Sequence, residues 1–156
     1  MGSAEPVTAG RGLAPILVAA LVLTALMATS FAASVQRNDG HTVYALDDSY
    51  IHMAIAKNVV EHGVWGVTRH EFTSSSSSPL YTLMLSSLFA VAGPQEWIPL
   101  GLNVVAAVGL LVLISHLLWR QGFGRVLAAA LALAIALLMP IGSLVAVGME
   151  HVLHSI

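Results

Sequence analysis

The sequence predicts an all-α, multi-pass transmembrane helical protein with an outer loop carrying amphipathic juxtamembrane helices, and three observations lead there. The chain is 57% hydrophobic and only 9% charged over 156 residues, with a mean hydropathy of +0.84, far from the composition of a soluble domain. Apolar stretches at 13–35, 97–119 and 126–147 are each long enough to cross a hydrocarbon core of about 30 Å as a helix. Most of the charged residues collect between the first two stretches, in a segment 36–96. The expected organisation is one membrane domain, 1–156.

The first span, 13–35, is uncharged throughout. A cleaved signal peptide is the alternative, because Phe31-Ala32-Ala33 offers small residues, but the apolar region exceeds the roughly 7 to 15 residues such peptides use. The loop that follows has structure inside it. Asp48 is a good N-cap, and Ile51, Ala54, Ile55 and Val59 recur at three- and four-residue spacing until Gly63, which can stop the helix. An amphipathic helix is therefore expected over 49–62, with Asp48 and His52 four residues apart on one side. The serines at 74–78 read as a flexible linker, and Pro79 opens the next helix at its first turn. That helix, 79–92, ends at Gly93-Pro94 and is too short to span, so it is expected to be re-entrant or interfacial.

The span 97–119 has a tryptophan at each end, and 126–147 carries Pro140 and Gly142, which bend its far part. The tight link between them holds Arg120 and Arg125, a positive-inside signal with which Arg11 agrees. With three spans, the amino terminus and that link are cytoplasmic, while 36–96 and the end at Gly148 face outward. Were 79–92 to cross fully, the arginines would move outside; the sequence prefers three spans.

A net charge of -2 and six scattered basic residues give no field for nucleic acid. With no cysteine, disulfides and thiolate metal sites are excluded. Glycine-rich phosphate cradles, nucleophile elbows and dinucleotide fingerprints are absent. What remains is the pair Asp47-Asp48. Under three spans it comes out on the same face as Gly148-Met149-Glu150-His151. Carboxylates so placed can act as a general base toward a hydroxyl or hold a divalent cation. The plainer reading is that Asp48 caps a helix and Asp47 is solvated. Lys57 and Arg69 can neutralise a phosphate, although Lys57 also stands four residues from Glu61, the spacing of a surface ion pair. His52 and His151 each lie near a carboxylate, but no histidine spacing matches a strong metal motif, so the metal is left unassigned. His116, inside a span, is expected to be a buried polar group bonding a neighbouring helix.

The stretch Leu46-Asp47-Asp48-Ser49-Tyr50-Ile51-His52, with Ala56-Lys57-Asn58, His62-Gly63, Glu71-Phe72-Thr73 and Ser78-Pro79-Leu80-Tyr81-Thr82, resembles the first outer loop of GT-C glycosyltransferases. It is most similar to the bacterial arabinofuranosyl, mannosyl and lipopolysaccharide-sugar transferase type, whose loop begins with an Asp-Asp-Ala-Tyr-Ile-like motif; serine replaces that alanine here. Gly148-Met149-Glu150 resembles the acidic motif of the family's second outer loop. The resemblance covers the chain as the amino-terminal portion of such an enzyme, which normally has many more spans. It implies a polyprenyl-phosphate-linked sugar donor, a lipid or glycan acceptor, and a multi-pass location in a bacterial inner membrane. Asp47, Asp48 and Glu150 are then the catalytic candidates, and Tyr50, His52, Lys57, Arg69 and His151 the substrate-binding ones. A divalent cation is an allowed cofactor. The competing expectation is a small non-catalytic multi-pass protein or subunit whose outer loop binds a partner. A transporter or channel fragment ranks last, because the spans carry few polar residues.

Overall fold

The structure is a computed structural model that describes residues 12–44 and 46–138. Among the described residues it is all-helical, with five helices and no strand: α1 (Ala14–Arg37), α2 (Asp48–His62), α3 (Pro79–Ala92), α4 (Ile98–Arg120) and α5 (Arg125–Leu138). Two of these, α1 and α4, are long and apolar enough to cross a membrane. The part of the expected third span at 139–147, with Pro140, lies outside the described residues, as do Arg11, Glu150 and His151.

The helices form two packed groups. The first is a sheaf of α1, α4 and α5, in which Ala19, Leu23 and Met27 of α1 meet Ala106, Ala107, Leu110 and Leu111 of α4 and Ala129, Ala132 and Ala136 of α5. The buried side of α5 is entirely alanine: Ala128, Ala129, Ala132 and Ala136. Small side chains there let the backbones approach closely, so the sheaf is held by dispersion contacts along its length. Its outward surface is also apolar, with Leu17, Val18 and Leu21 of α1, Val105 and Leu117 of α4, and Val126 and Leu137 of α5 exposed. Only 17% of the apolar window of α1 is buried, against 44% for α4. A helix apolar on all sides and covered on so few differs from the usual core helix of a water-soluble fold.

The second group sits on the start of α4. Ala56 of α2, Tyr81, Leu85 and Phe89 of α3, and Ile98 at the head of α4 form its core, with Met53 and Leu102 against it. At its 14 residues, α3 is about 21 Å long, short of a hydrocarbon core of about 30 Å. Pro79 fills its first turn and Gly93 ends it.

Helix α2 ends at Gly63 in the left-handed conformation, φ 67°, and the Gly63 N–H donates to the Val59 carbonyl at 3.1 Å. Its buried side differs from the expected stripe. Ser49, His52, Ile55 and Ala56 are buried, whereas Ile51, Ala54 and Val59 are only half-buried. The polar His52 turns inward because α3 and the serine segment offer it hydroxyl partners, which periodicity of apolar residues cannot register.

Candidate functional site

The tandem aspartates stand at the first turn of α2. Asp47 occupies the N-cap position and Asp48 the first helical position, one residue earlier than the sequence suggests. Neither carboxylate caps the helix: there is no side-chain cap hydrogen bond, and the Asp47 contribution is its backbone carbonyl, which accepts from Tyr50 N–H (2.9 Å) and Ile51 N–H (3.1 Å). Both side chains are exposed. The plain capping role expected of Asp48 is therefore not the one it plays.

Tyr50 ties this turn to the preceding segment. The Tyr44 N–H donates to the Tyr50 hydroxyl oxygen at 3.0 Å, and the two rings meet edge to face with centroids 5.9 Å apart. Tyr44 in turn donates its phenol to the Glu96 carbonyl and accepts from the Leu100 N–H at 3.2 Å. Burial pushes the Tyr44 phenol far above its ordinary range, opposed by the hydrogen bond from Leu100. Residues 41–44 are thus clamped to the head of α4, and through Tyr50 they hold the aspartates beside the end of the sheaf. Tyr44 carries this geometry, and no motif in the sequence singled it out.

Behind Tyr44 lies an apolar cavity of about 320 Å³ between α1 and α4, with Met27, Phe31, Tyr44, Leu100, Gly101 and Val104 in its wall. Its wall at Tyr44 is therefore one hydrogen bond away from the helical turn that carries Asp47 and Asp48.

The other expected site residues scatter. His52 is 1% exposed, in the α2–α3 interface and not on the surface with Asp48. Its Nδ1 is 2.9 Å from Thr82 Oγ1 and 3.4 Å from Ser76 Oγ, its Nε2 is 3.3 Å from Ser77 Oγ, and its ring meets Tyr81 edge to face. The serine segment expected to be a flexible linker is instead a polar cover over this histidine. Ser76 also bonds Thr82 at 2.9 Å, and Ser78 is buried with its carbonyl accepting from Thr82.

Lys57 is exposed nine residues after Asp48, which places it about 13 Å along the helix axis and on the opposite side. It lines a cleft of about 190 Å³ with Met53, Phe89, Pro94 and Glu96, away from the aspartates. The expected Lys57–Glu61 pair does not form. Glu61 lies 3.8 Å from His62 instead, a contact between two exposed side chains that contributes little. Arg69 is exposed on the loop 63–73. Asn58 fastens that loop by donating to the carbonyls of Gly66 (2.8 Å) and Val67 (3.0 Å), and Thr73 closes it by accepting from Val67 N–H. Gly66 is required there, because a Cβ would collide with the Glu71 carbonyl.

His116 departs from its expected burial. It is exposed on α4 and tilted against Trp119, with centroids 5.6 Å apart. The buried polar residues of that helix are Ser115, which donates to the Leu111 carbonyl, and Asn103, fully enclosed with neither amide atom hydrogen-bonded among the described residues.

Among the described residues no three histidine or acidic side chains converge to hold a metal. A cation at the aspartates would take its further ligands from outside these residues. Compared with known protein families, characterised proteins and solved structures, the chain matches none.

Proposed function

We propose that this chain is the amino-terminal part of a multi-pass membrane glycosyltransferase that moves a sugar from a polyprenyl-phosphate donor to an acceptor hydroxyl on the outer membrane face. One observation carries the reading: two adjacent carboxylates at the head of α2 are exposed and unengaged among the described residues, and Tyr50 on their helix bonds Tyr44 in the wall of an apolar cavity. Carboxylates that neither cap nor pair are available for chemistry. An apolar recess tied to their helix through Tyr44 and Tyr50 suits a donor with a long hydrocarbon tail and a polar reacting end.

The membrane setting follows from the outward faces. Leu17, Val18, Leu21, Val105, Leu117 and Leu137 are exposed on a sheaf whose interior is already closed, and lipid covers such a surface at no hydrophobic cost. With Arg120 and Arg125 in the link between α4 and α5, the positive-inside rule sets that end in the cytoplasm, with the amino terminus. The aspartates then face outward, on a bacterial inner membrane.

In the reaction, Asp48 or Asp47 accepts the proton of the acceptor hydroxyl as its oxygen attacks the anomeric carbon. The bond from that carbon to the phosphate oxygen breaks, and polyprenyl phosphate departs with the electron pair. Attack opposite the leaving group inverts the anomeric centre. Phosphate needs little acid assistance in leaving, so a single base suffices on the acceptor side. Glu150 and His151 remain proposed partners by resemblance. The placement of Lys57 across the helix makes Arg69 the better of the two candidate cations for the phosphate.

The experiment is Asp48→Asn and Asp47→Asn in the longest in-frame protein that contains this chain. Transfer from a polyprenyl-phosphate sugar should fall by at least about 10²-fold, the scale of general base catalysis, while membrane insertion is kept. Full activity in both variants would remove the pair from the mechanism. The second reading, a non-catalytic membrane subunit, draws on the loop 63–73, which presents Arg69, His70 and an exposed Phe72 on a fastened backbone. It predicts that Phe72→Ala loses a partner while both aspartate variants are silent.

A further inference from the structure

We propose that a second site, at the opposite end of the sheaf, holds the phosphate of an anionic lipid headgroup against Arg125. A pocket of about 180 Å³ lies there between the starts of α1 and α5 and the end of α4, with Leu13, Ile16, His116, Trp119 and Arg125 in its wall. The guanidinium carbon of Arg125 sits 4.6 Å from the Trp119 ring centroid. The guanidinium also packs against Gly12, where a Cβ would overlap it. Stacking on an indole fixes a guanidinium in place and leaves its edge donors free, and those donors match phosphate oxygens in pairs.

Among the described residues nothing at this end balances the charge. Every acidic residue among those described lies between 39 and 96, beyond the far end of α1, whose 24 residues make about 36 Å. Arg125 and Arg120 therefore have no carboxylate within reach among the described residues. Leu13 and Ile16 give the pocket an apolar wall toward the hydrocarbon, where the first acyl carbons of a lipid would lie. Both α1 and α5 begin here, and the α1 N-cap Leu13 makes no side-chain cap hydrogen bond. Basic pockets between helices at a cytoplasmic membrane face take anionic headgroups in this way.

The inference rests on the membrane reading of the sheaf and is independent of the transferase one. The full chain, delipidated in detergent, is offered equimolar phosphatidylglycerol and phosphatidylcholine, and the retained lipids are counted by native mass spectrometry. The expected result is a preference for phosphatidylglycerol of about fivefold, the scale of one basic residue near a headgroup. Arg125→Gln should bring it to parity. Gly12→Ala, which displaces the guanidinium without removing its charge, should lower it partway. Arg120→Gln, the same charge change outside the pocket, should leave it intact. Equal loss in Arg120→Gln and Arg125→Gln would show diffuse surface charge and overturn the pocket, as would a preference that survives both Arg125→Gln and Gly12→Ala. Inorganic phosphate that binds as well as the lipid would overturn the lipid assignment in favour of a soluble phosphate ligand. A chain that sediments with neither lipid vesicle would sink the membrane reading and the site together, whereas vesicle binding without the preference sinks the site alone.

Discussion

Nδ1 of His52 on α2 and Oγ1 of Thr82 on α3 lie 2.9 Å apart in a fully buried contact, thirty residues apart in sequence. This contact, with Ser76 and Ser77 over the ring, joins the two short helices through polar atoms as well as through Tyr81 and Leu85. A polar cluster of this kind specifies one register, because a shift by one residue leaves several buried groups without partners.

His52→Ala should therefore destabilise the protein by about 2–4 kcal/mol, from the cavity and from hydroxyls left unpaired. Asp48→Asn should change stability by less than about 0.5 kcal/mol, since that carboxylate makes no bond among the described residues. Thermal unfolding in detergent measures both. Equal destabilisation by the two would mean that Asp48 is structural after all.

Tyr44 ties residues 41–44 to α4, and the tie depends on its proton. The folded state raises the pKa of this phenol, so it binds the proton more tightly than the unfolded chain does. The stabilisation is complete below the ordinary tyrosine value of about 10 and fades as pH climbs above it. An alkaline loosening of residues 41–44, read by hydrogen exchange at Leu100, is expected in the parent protein. In Tyr44→Phe the clamp should already be weakened at neutral pH, by about 1–3 kcal/mol, with the alkaline transition gone.

Asn103 is fully buried, with both amide atoms unpaired among the described residues. Asn103→Leu keeps the branched shape and removes the desolvated polar group, so it should stabilise the protein by about 1–3 kcal/mol. A melting temperature that falls would show that the amide has a partner in the membrane.

The orientation is open to direct measurement. Cysteines introduced separately at Ser75 and Gln121, in a chain with no native cysteine, should label with an impermeant thiol reagent from opposite sides of the membrane. Labelling from the same side would refute the three-span arrangement and separate the aspartates from the outer face.

The helices were legible in the sequence because their signals are local. Pro79 and Gly93 bracket α3, Gly63 ends α2, and the uncharged runs of α1 and α4 declare themselves by composition alone. The tandem aspartates were legible for the same reason, as a local motif. His52 was misjudged because an apolar periodicity assigns polar residues to the outside, and only the hydroxyls of Ser76, Ser77 and Thr82 make its burial affordable in free energy.

By itself, then, the sequence determined that the long helices α1 and α4 are apolar enough to cross a membrane, since length and side-chain chemistry act residue by residue. Tertiary structure alone decided which polar groups turn inward, that Tyr44 anchors the aspartates' turn, and that Arg125 rests on Trp119 and Gly12. Those outcomes depend on contacts between residues far apart in the chain, whose partners exist only once the helices have packed.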